Sequence, residues 1–477
     1  MKRILIITLV LILAVFPLAQ AEEAVEEDEF AEFAEQTTDT DETNERAADA
    51  DDESGFEETD FAEEGDDAEM AEEPQQQKDS FVNQWISPAR ITVKHESSYR
   101  TSEPEQVVNN RSSIRLEYAT SIGTYFFVQL DTKLNLYWAD DHRAQAEEEE
   151  YLVEGNTKEA FIQSSFGNTS IKAGYQVLIW GESELATVTD VVSPRDSSEF
   201  LFIPFEESRI GQPMLIVEQF SPIGEWQLFF IPTPSFDHLP KEGTAYFVDP
   251  FTGLSVVTEI DSTDDVQYEC GLRWRKTFGK SDIALMAASL IDNSKSYRFD
   301  GYTPLFQLKL TETTHRYEMI GLTFNYAMGS FLWKGELAQK SPRVFINQSF
   351  TQEEKLVTDG TFGLEYSPGG KYTVALEGSN SHIAEWSEDL LGVSANQSVG
   401  NINWSRSFLN EDLTITLGSS HTWPGEDWIF LAQTDYTIND QLTAELTAVY
   451  LDIKNEESAL WPYRHQNQLN AKLSFQF

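Results

Sequence analysis

Residues 469–477 read LNAKLSFQF, and the last letter is an aromatic residue. Leu469, Ala471, Leu473, Phe475 and Phe477 fall on one side of the alternation, and Asn470, Lys472, Ser474 and Gln476 on the other. Side chains of a strand point alternately to its two faces, so this segment is a strand with one apolar and one wholly polar face. A soluble domain commonly ends in a few loose polar residues. A strand used to its last residue suits a closed barrel instead, in which it pairs with the first strand, expected near Ala89–Ser98.

The same pattern recurs upstream. Leu130, Thr132, Leu134 and Leu136 oppose Asp131, Lys133 and Asn135. Ile171, Ala173, Tyr175, Val177 and Ile179 oppose Lys172, Gly174, Gln176 and Trp180, with Leu178 the apolar exception on the polar side. Leu272 and Trp274 oppose Arg273 and Arg275, and Leu442, Ala444, Leu446, Ala448 and Tyr450 repeat the theme. Each segment is about 10 residues, the length at which a tilted strand crosses a bilayer. Tight-turn sequences such as Ser121-Ile122-Gly123, Phe278-Gly279-Lys280 and Pro368-Gly369-Gly370 alternate with long polar connections, at 139–158, 181–211 and 232–267. We therefore expect an all-β, transmembrane antiparallel barrel of about 18 strands over residues 78–477, with short periplasmic turns and long outer loops. Trp138, Tyr326, Phe331, Tyr366, Tyr372 and Trp428 would form the interfacial girdles. A soluble β-sandwich also alternates, but lacks such strand lengths and such a loop asymmetry.

The other end of the chain gives an address. Residues 1–21 combine Lys2 and Arg3, an apolar stretch and Ala19-Gln20-Ala21, the layout of a cleaved secretory signal peptide. Residues 22–77 then hold 26 Asp and Glu against one base, Arg46, a net charge of −25. Such a segment cannot bury enough apolar surface to order itself, so a disordered periplasmic tail is expected, hinged at Gln75–Lys78. Phe30-Ala31-Glu32, Phe33-Ala34-Glu35 and Phe61-Ala62-Glu63 repeat within it, either as compositional bias or as a motif that docks on a periplasmic or inner-membrane transport partner. Charge this acidic also argues against nucleic-acid binding.

Catalytic chemistry finds little support. No Gly-x-Ser-x-Gly is present, His421 and His465 sit near loop ends, and the lone Cys270 reads as strand filler. Glu147–Glu150 reads as a solvated loop, so no metal site and no cofactor is expected. The chemistry concentrates instead in residues 174–213, GYQVLIWGESELATVTDVVSPRDSSEFLFIPFEESRIGQP. Gln176 and Trp180 fall on the lumen side, and the loop that follows carries Glu182, Asp190, Arg195, Asp196 and Arg209. With Arg273 and Arg275 these are the expected lining of a constriction, where mixed charges select the solute. A loop packed as a plug with its charges paired is the other reading of the same residues.

This stretch resembles an uncharacterised family of Gram-negative outer-membrane proteins. The resemblance rests on Gly174, Gln176, Trp180 and Gly181, then Asp190, Val191, Pro194 and Asp196, then Pro213 and Met214. It implies a role in moving hydrophobic compounds beside resistance-nodulation-division transporters. The architecture is more distantly similar to alginate-export barrels. Phe475 and Phe477 resemble the C-terminal signal read by the barrel-assembly machinery, which implies that machinery as a partner, with outer-membrane lipid and lipopolysaccharide around the barrel. The expected function is thus an outer-membrane, porin-like channel for a small or amphipathic solute. A docking barrel that recruits a transport partner through its acidic tail is the alternative, and an outer-membrane hydrolase the third reading.

Overall fold

The computed structural model describes residues 88–183, 186–260, 267–294 and 296–477. The expected signal peptide, acidic segment and hinge lie outside the described residues. Eighteen strands form one antiparallel sheet. Its first half contains β1 (Ala89–Arg100), β2 (Gln106–Ile122), β3 (Phe126–Trp138), β4 (Tyr151–Phe166), β5 (Thr169–Gln176), β6 (Gln212–Ser221) and β7 (Gly224–Ile231). A short strand in a loop, β8 (Val256–Ile260), precedes β9 (Glu269–Phe278) and β10 (Ser281–Ile291). Two further loop strands follow, β11 (Ser296–Tyr302) and β12 (Leu308–Thr313), which join β8 in a separate sheet. The wall resumes with β13 (Arg316–Met328), β14 (Phe331–Ile346), β15 (Gln352–Tyr366), β16 (Thr373–Ile383) and β17 (Asn396–Phe408). It ends with β18 (Leu413–Trp423), β19 (Trp428–Asn439), β20 (Leu442–Asp452) and β21 (Gln468–Gln476).

The terminal strand closes the wall. β21 pairs with β1 from Thr92↔Gln476 to Arg100↔Gln468, and the Phe477 N–H donates to Ile91 O at 2.9 Å. Closure leaves the sheet no terminal edge, and β21 stays strand up to Gln476, one residue short of Phe477. The outward file of each strand is apolar and exposed: Ile114, Leu134, Ile162, Leu285, Ile320 and Leu337 are all about half exposed or more. In water such a belt would be an association surface; against hydrocarbon it is matched. Among the described residues no helix is long and apolar enough to span a membrane, and strands do the crossing.

Three expectations need correction. The connection expected over 139–158 ends at 150, because β4 begins at Tyr151. The strand expected to run through Ile179 to Trp180 ends at Gln176, and the chain leaves the wall from Val177. The outer connections are also not all long, since 101–105, 347–351 and 424–427 are brief. Short connections at both ends fit where neighbouring strands are of similar height. β5, β6 and β7 are shorter than most of the wall, and there the long 177–211 and 232–268 connections begin.

The inner face has two characters. On β6, β7, β10 and β13 it is apolar, with Met214, Ile216, Phe229, Ile231, Met286, Leu290 and Met319 buried. Since the outward file of β10 is also largely apolar, this strand reads as a nearly continuous apolar run, IALMAASLI. On β1 to β4 it is charged, with Lys94, Arg115, Asp131 and Lys133.

Candidate functional site

The connection 177–211 folds into the lumen and is tied to both characters of the wall. Its apolar residues cover the apolar sector. Trp180 is 0% exposed, meets Phe229 edge-on at 5.2 Å between ring centroids, and donates its indole N–H to Gln227 Oε1 at 2.9 Å. Leu178, Val188, Val191 and Val192 pack in the same cluster. Gln176 is equally enclosed, its side-chain amide donating to Met214 O at 3.0 Å. Trp180 and Gln176 therefore do not line an open pore. The alternation placed them on the inner side correctly, but the loop they lead into folds back over them and buries their apolar and amide surfaces.

The polar anchor of this part is Glu336 on β14. Its carboxylate accepts the backbone N–H groups of Glu182, Ser183, Val188 and Thr189 and the Thr189 hydroxyl, at 2.7 to 2.9 Å. A buried carboxylate costs several kcal/mol to desolvate, and these five donors offset that cost. Glu182 extends its own side chain to Arg273 Nη2 at 3.1 Å and accepts from Asn325 Nδ2 at 3.4 Å. Burial raises the Glu182 carboxyl above its ordinary value, against the opposing pull of Arg273 and Arg275. Arg275 is half exposed and lies 3.5 Å from Glu225.

Asp190 gathers both loop arginines. Arg195 Nη2 lies 2.7 Å and Arg209 Nε 3.0 Å from Asp190 Oδ2, and both guanidiniums lie over the Phe205 ring. Asp196 stays within the loop, where its carboxylate accepts the Ser198 N–H at 3.0 Å. The structure thus brings Asp190, Arg195 and Arg209 together as an ion triad, a plug-like pairing, while Asp196 bonds within its turn and also lines the cavity between the loop and β1–β4.

Three contacts have no signal in the sequence pattern. Glu199, 2% exposed, reaches Arg111 Nη1 at 2.5 Å and Arg143 Nε at 3.4 Å, and accepts from Asn109 Nδ2 at 3.3 Å. Burial by itself would raise the Glu199 carboxyl, but Arg111, His142 and Arg143 together hold it well below the carboxylate range. Arg143 belongs to a short helix, α1 (His142–Ala146), whose N-cap Asp141 also takes Arg111 at 3.1 Å. Glu207 projects between Lys94 Nζ at 3.2 Å and Lys133 Nζ at 3.4 Å. Phe200, finally, stacks on Tyr463 of the last outer loop at 3.9 Å. Glu336, Lys94 and Lys133 do lie on polar faces of alternating strands, which is the one hint the sequence carries; their partners are not readable from it.

Between the loop and β1–β4 remains a cavity of 270 Å³, lined by Lys94, Arg115, Asp131, Lys133, Glu207 and Arg209 among others. Phe475 and Phe477 are not among the lining residues, and their rings meet edge to face at 4.7 Å. Among the described residues no group of three or more His, Cys, Asp or Glu is placed to hold a metal ion.

No family model matches the chain, and no curated protein matches it in sequence. The resemblance carried by Gly174 to Met214 thus stands on those residues alone. Solved structures do match. OccAB1 of Acinetobacter baumannii is 9% identical, with 82% of this chain and 96% of that chain covered and a TM-score of 0.50. The outer membrane protein OpdK of Pseudomonas aeruginosa is 10% identical, with 82% and 99% covered and a TM-score of 0.46. OmpF of Salmonella typhi is 10% identical, with 82% and 97% covered and a TM-score of 0.41. At such identities the likeness is one of fold, a closed barrel of the outer-membrane kind.

Proposed function

We propose that this protein is an outer-membrane channel for a small solute bearing an anionic group, with its lumen narrowed by residues 177–211. The observation that carries this reading is the position of that segment. It lies inside a closed transmembrane wall, held by Glu336 on one side and by Lys94, Lys133 and Arg111 on the other, with a 270 Å³ cavity beside it. A plug built only for stability would fill the lumen. This one leaves a polar space on the charged side of the wall.

The lining supports the sign of the solute. Seven basic side chains against five acidic ones face the cavity, in a chain whose formal net charge is −48. Asp141 and Asp190 pair with Arg111 and Arg209 from behind the lining, so the anion preference rests on the cations that face the space itself, Lys94, Lys133 and Lys158 against Glu207. The test is conductance in planar bilayers, with reversal potentials in a chloride gradient. The parent should conduct with anion preference. A parent that inserts but does not conduct would leave a structural barrel.

A further inference from the structure

One strand of the wall lacks a neighbour along part of its length. β4 pairs with β3 from Trp138↔Tyr151 down to Phe126↔Ser164. With β5 it pairs only from Ala160↔Tyr175 to Phe166↔Thr169, because β5 ends at Gln176 and the chain turns into the lumen. Residues 151–159 thus have a ladder on one side only, among the described residues. In hydrocarbon, unpaired backbone survives only where it meets protein or a water-filled cavity. Beside this edge lies a recess of 410 Å³, framed by Gly155, Asn156, Thr157, Tyr175, Ile210 and His238.

The frame joins outside to inside. Tyr175 is 45% exposed in the outward file with Ile171, while the next residue, Gln176, is buried inward. Gly155 and Thr157 belong to the outward file of β4 with Val153. Asn156, between them, lines both the recess and the 270 Å³ lumen cavity, and Arg209 lines that cavity next to Ile210 of the recess. Below, the returning chain seals the gap at Gly211, where a Cβ would collide with Lys158 O. Above, Lys241 Nζ reaches Glu154 Oε1 at 3.7 Å and Gly243 backs onto Ala146.

We propose that this gap is a lateral window between the lumen and the bilayer, through which the apolar part of an amphiphilic anion passes while its headgroup occupies the basic cavity. Tyr175 offers the apolar part a surface, with Ile210 packed behind it at 8% exposure, Asn156 and His238 mark the turn toward the polar interior, and the missing strand pairing supplies the width. The proposal rests on the channel reading and adds the route and the amphiphilic character of the solute.

Gly155→Trp places a large ring in the window on its lipid side, and the backbone admits it, since an added Cβ would come no nearer than 4.0 Å to Leu134 Cδ1. Thr157→Trp is the second variant. Gly378→Trp, on the paired strand β16 where a Cβ meets nothing within 4 Å, is the control. The probe is a fluorescent alkyl sulfonate, whose permanently charged head does not cross lipid unaided, followed in proteoliposomes beside chloride conductance in planar bilayers. Both window variants should slow sulfonate transfer by about fivefold or more relative to the control, with conductance changed by less than about twofold. Transfer equal to the control, or a parallel loss of transfer and conductance, would overturn the window. A parent that carries no chloride would count against the channel itself, an outcome distinct from both.

Discussion

Thr189 meets the Glu336 carboxylate twice, through its backbone N–H at 2.9 Å and its hydroxyl at 2.8 Å. These residues lie 147 positions apart, one on a loop and the other on the wall. With the three further N–H groups that Glu336 accepts, the contact makes this side chain the hinge pin of the lumen segment.

Glu336→Ala leaves four N–H groups without this acceptor, two of them buried and two half-buried, each buried one costing about 1–3 kcal/mol unless water enters. The loop should detach while the wall persists. Limited proteolysis of the inserted protein should then cut within 182–189, with heat-modifiable gel migration retained. Resistance equal to the parent would show that the Trp180 cluster alone holds the loop.

Deleting Ser183–Ser208 removes the segment tied to Glu336, Arg111, Lys94 and Lys133. Conductance should rise several-fold. Reversing Arg195 and Arg209 to Glu would set two carboxylates against Asp190, now 2.7 and 3.0 Å from the guanidiniums, so the expected result is loop displacement together with a shift toward cations. A deletion that inserts normally yet conducts like the parent would show that the loop is not the constriction.

Glu207 neutralises Lys94 and Lys133 across the cavity, so Glu207→Gln should raise anion selectivity, read as a shift in reversal potential. Burial would raise its carboxyl, yet Lys94, Lys133 and Lys472 outweigh that and hold it well below the usual range. A depressed carboxyl stabilises docking at every pH above its free value, about 4.3, and loses that contribution only as pH falls further. Its side chain is 43% exposed to the cavity, so solvent moderates the effect. Selectivity of the parent should stay constant from about pH 5 to pH 8 and drift toward that of Glu207→Gln only in stronger acid. A transition near neutrality would assign the pH response to another group.

Phe477 is 66% exposed just past the last strand, its N–H fixed to Ile91 O. Phe477→Asp should lower the amount of folded barrel recovered in outer membranes. The charge itself costs only about 0–1 kcal/mol near an interface, so a large loss would point to assembly rather than stability. Unchanged levels would remove both roles.

The barrel is legible in the amino-acid sequence because its code is local. Alternation in LNAKLSFQF, and in its counterparts from β3 to β20, needs only neighbouring residues, and lipid outside demands the apolar file everywhere. The same code places Gln176 and Trp180 on the inner side. What covers them is decided by tertiary structure alone, because the loop's partners are remote: Glu336 for Thr189, Arg111 for Glu199, Lys94 for Glu207. Opposite charges on a loop fit a bare constriction and a paired plug equally well until the wall fixes which of them meet. The early end of β5 is of the same kind. Leu178 and Trp180 could have continued the strand, but burial against Phe229 and Met286 drew the chain inward and left the upper edge of β4 unpaired.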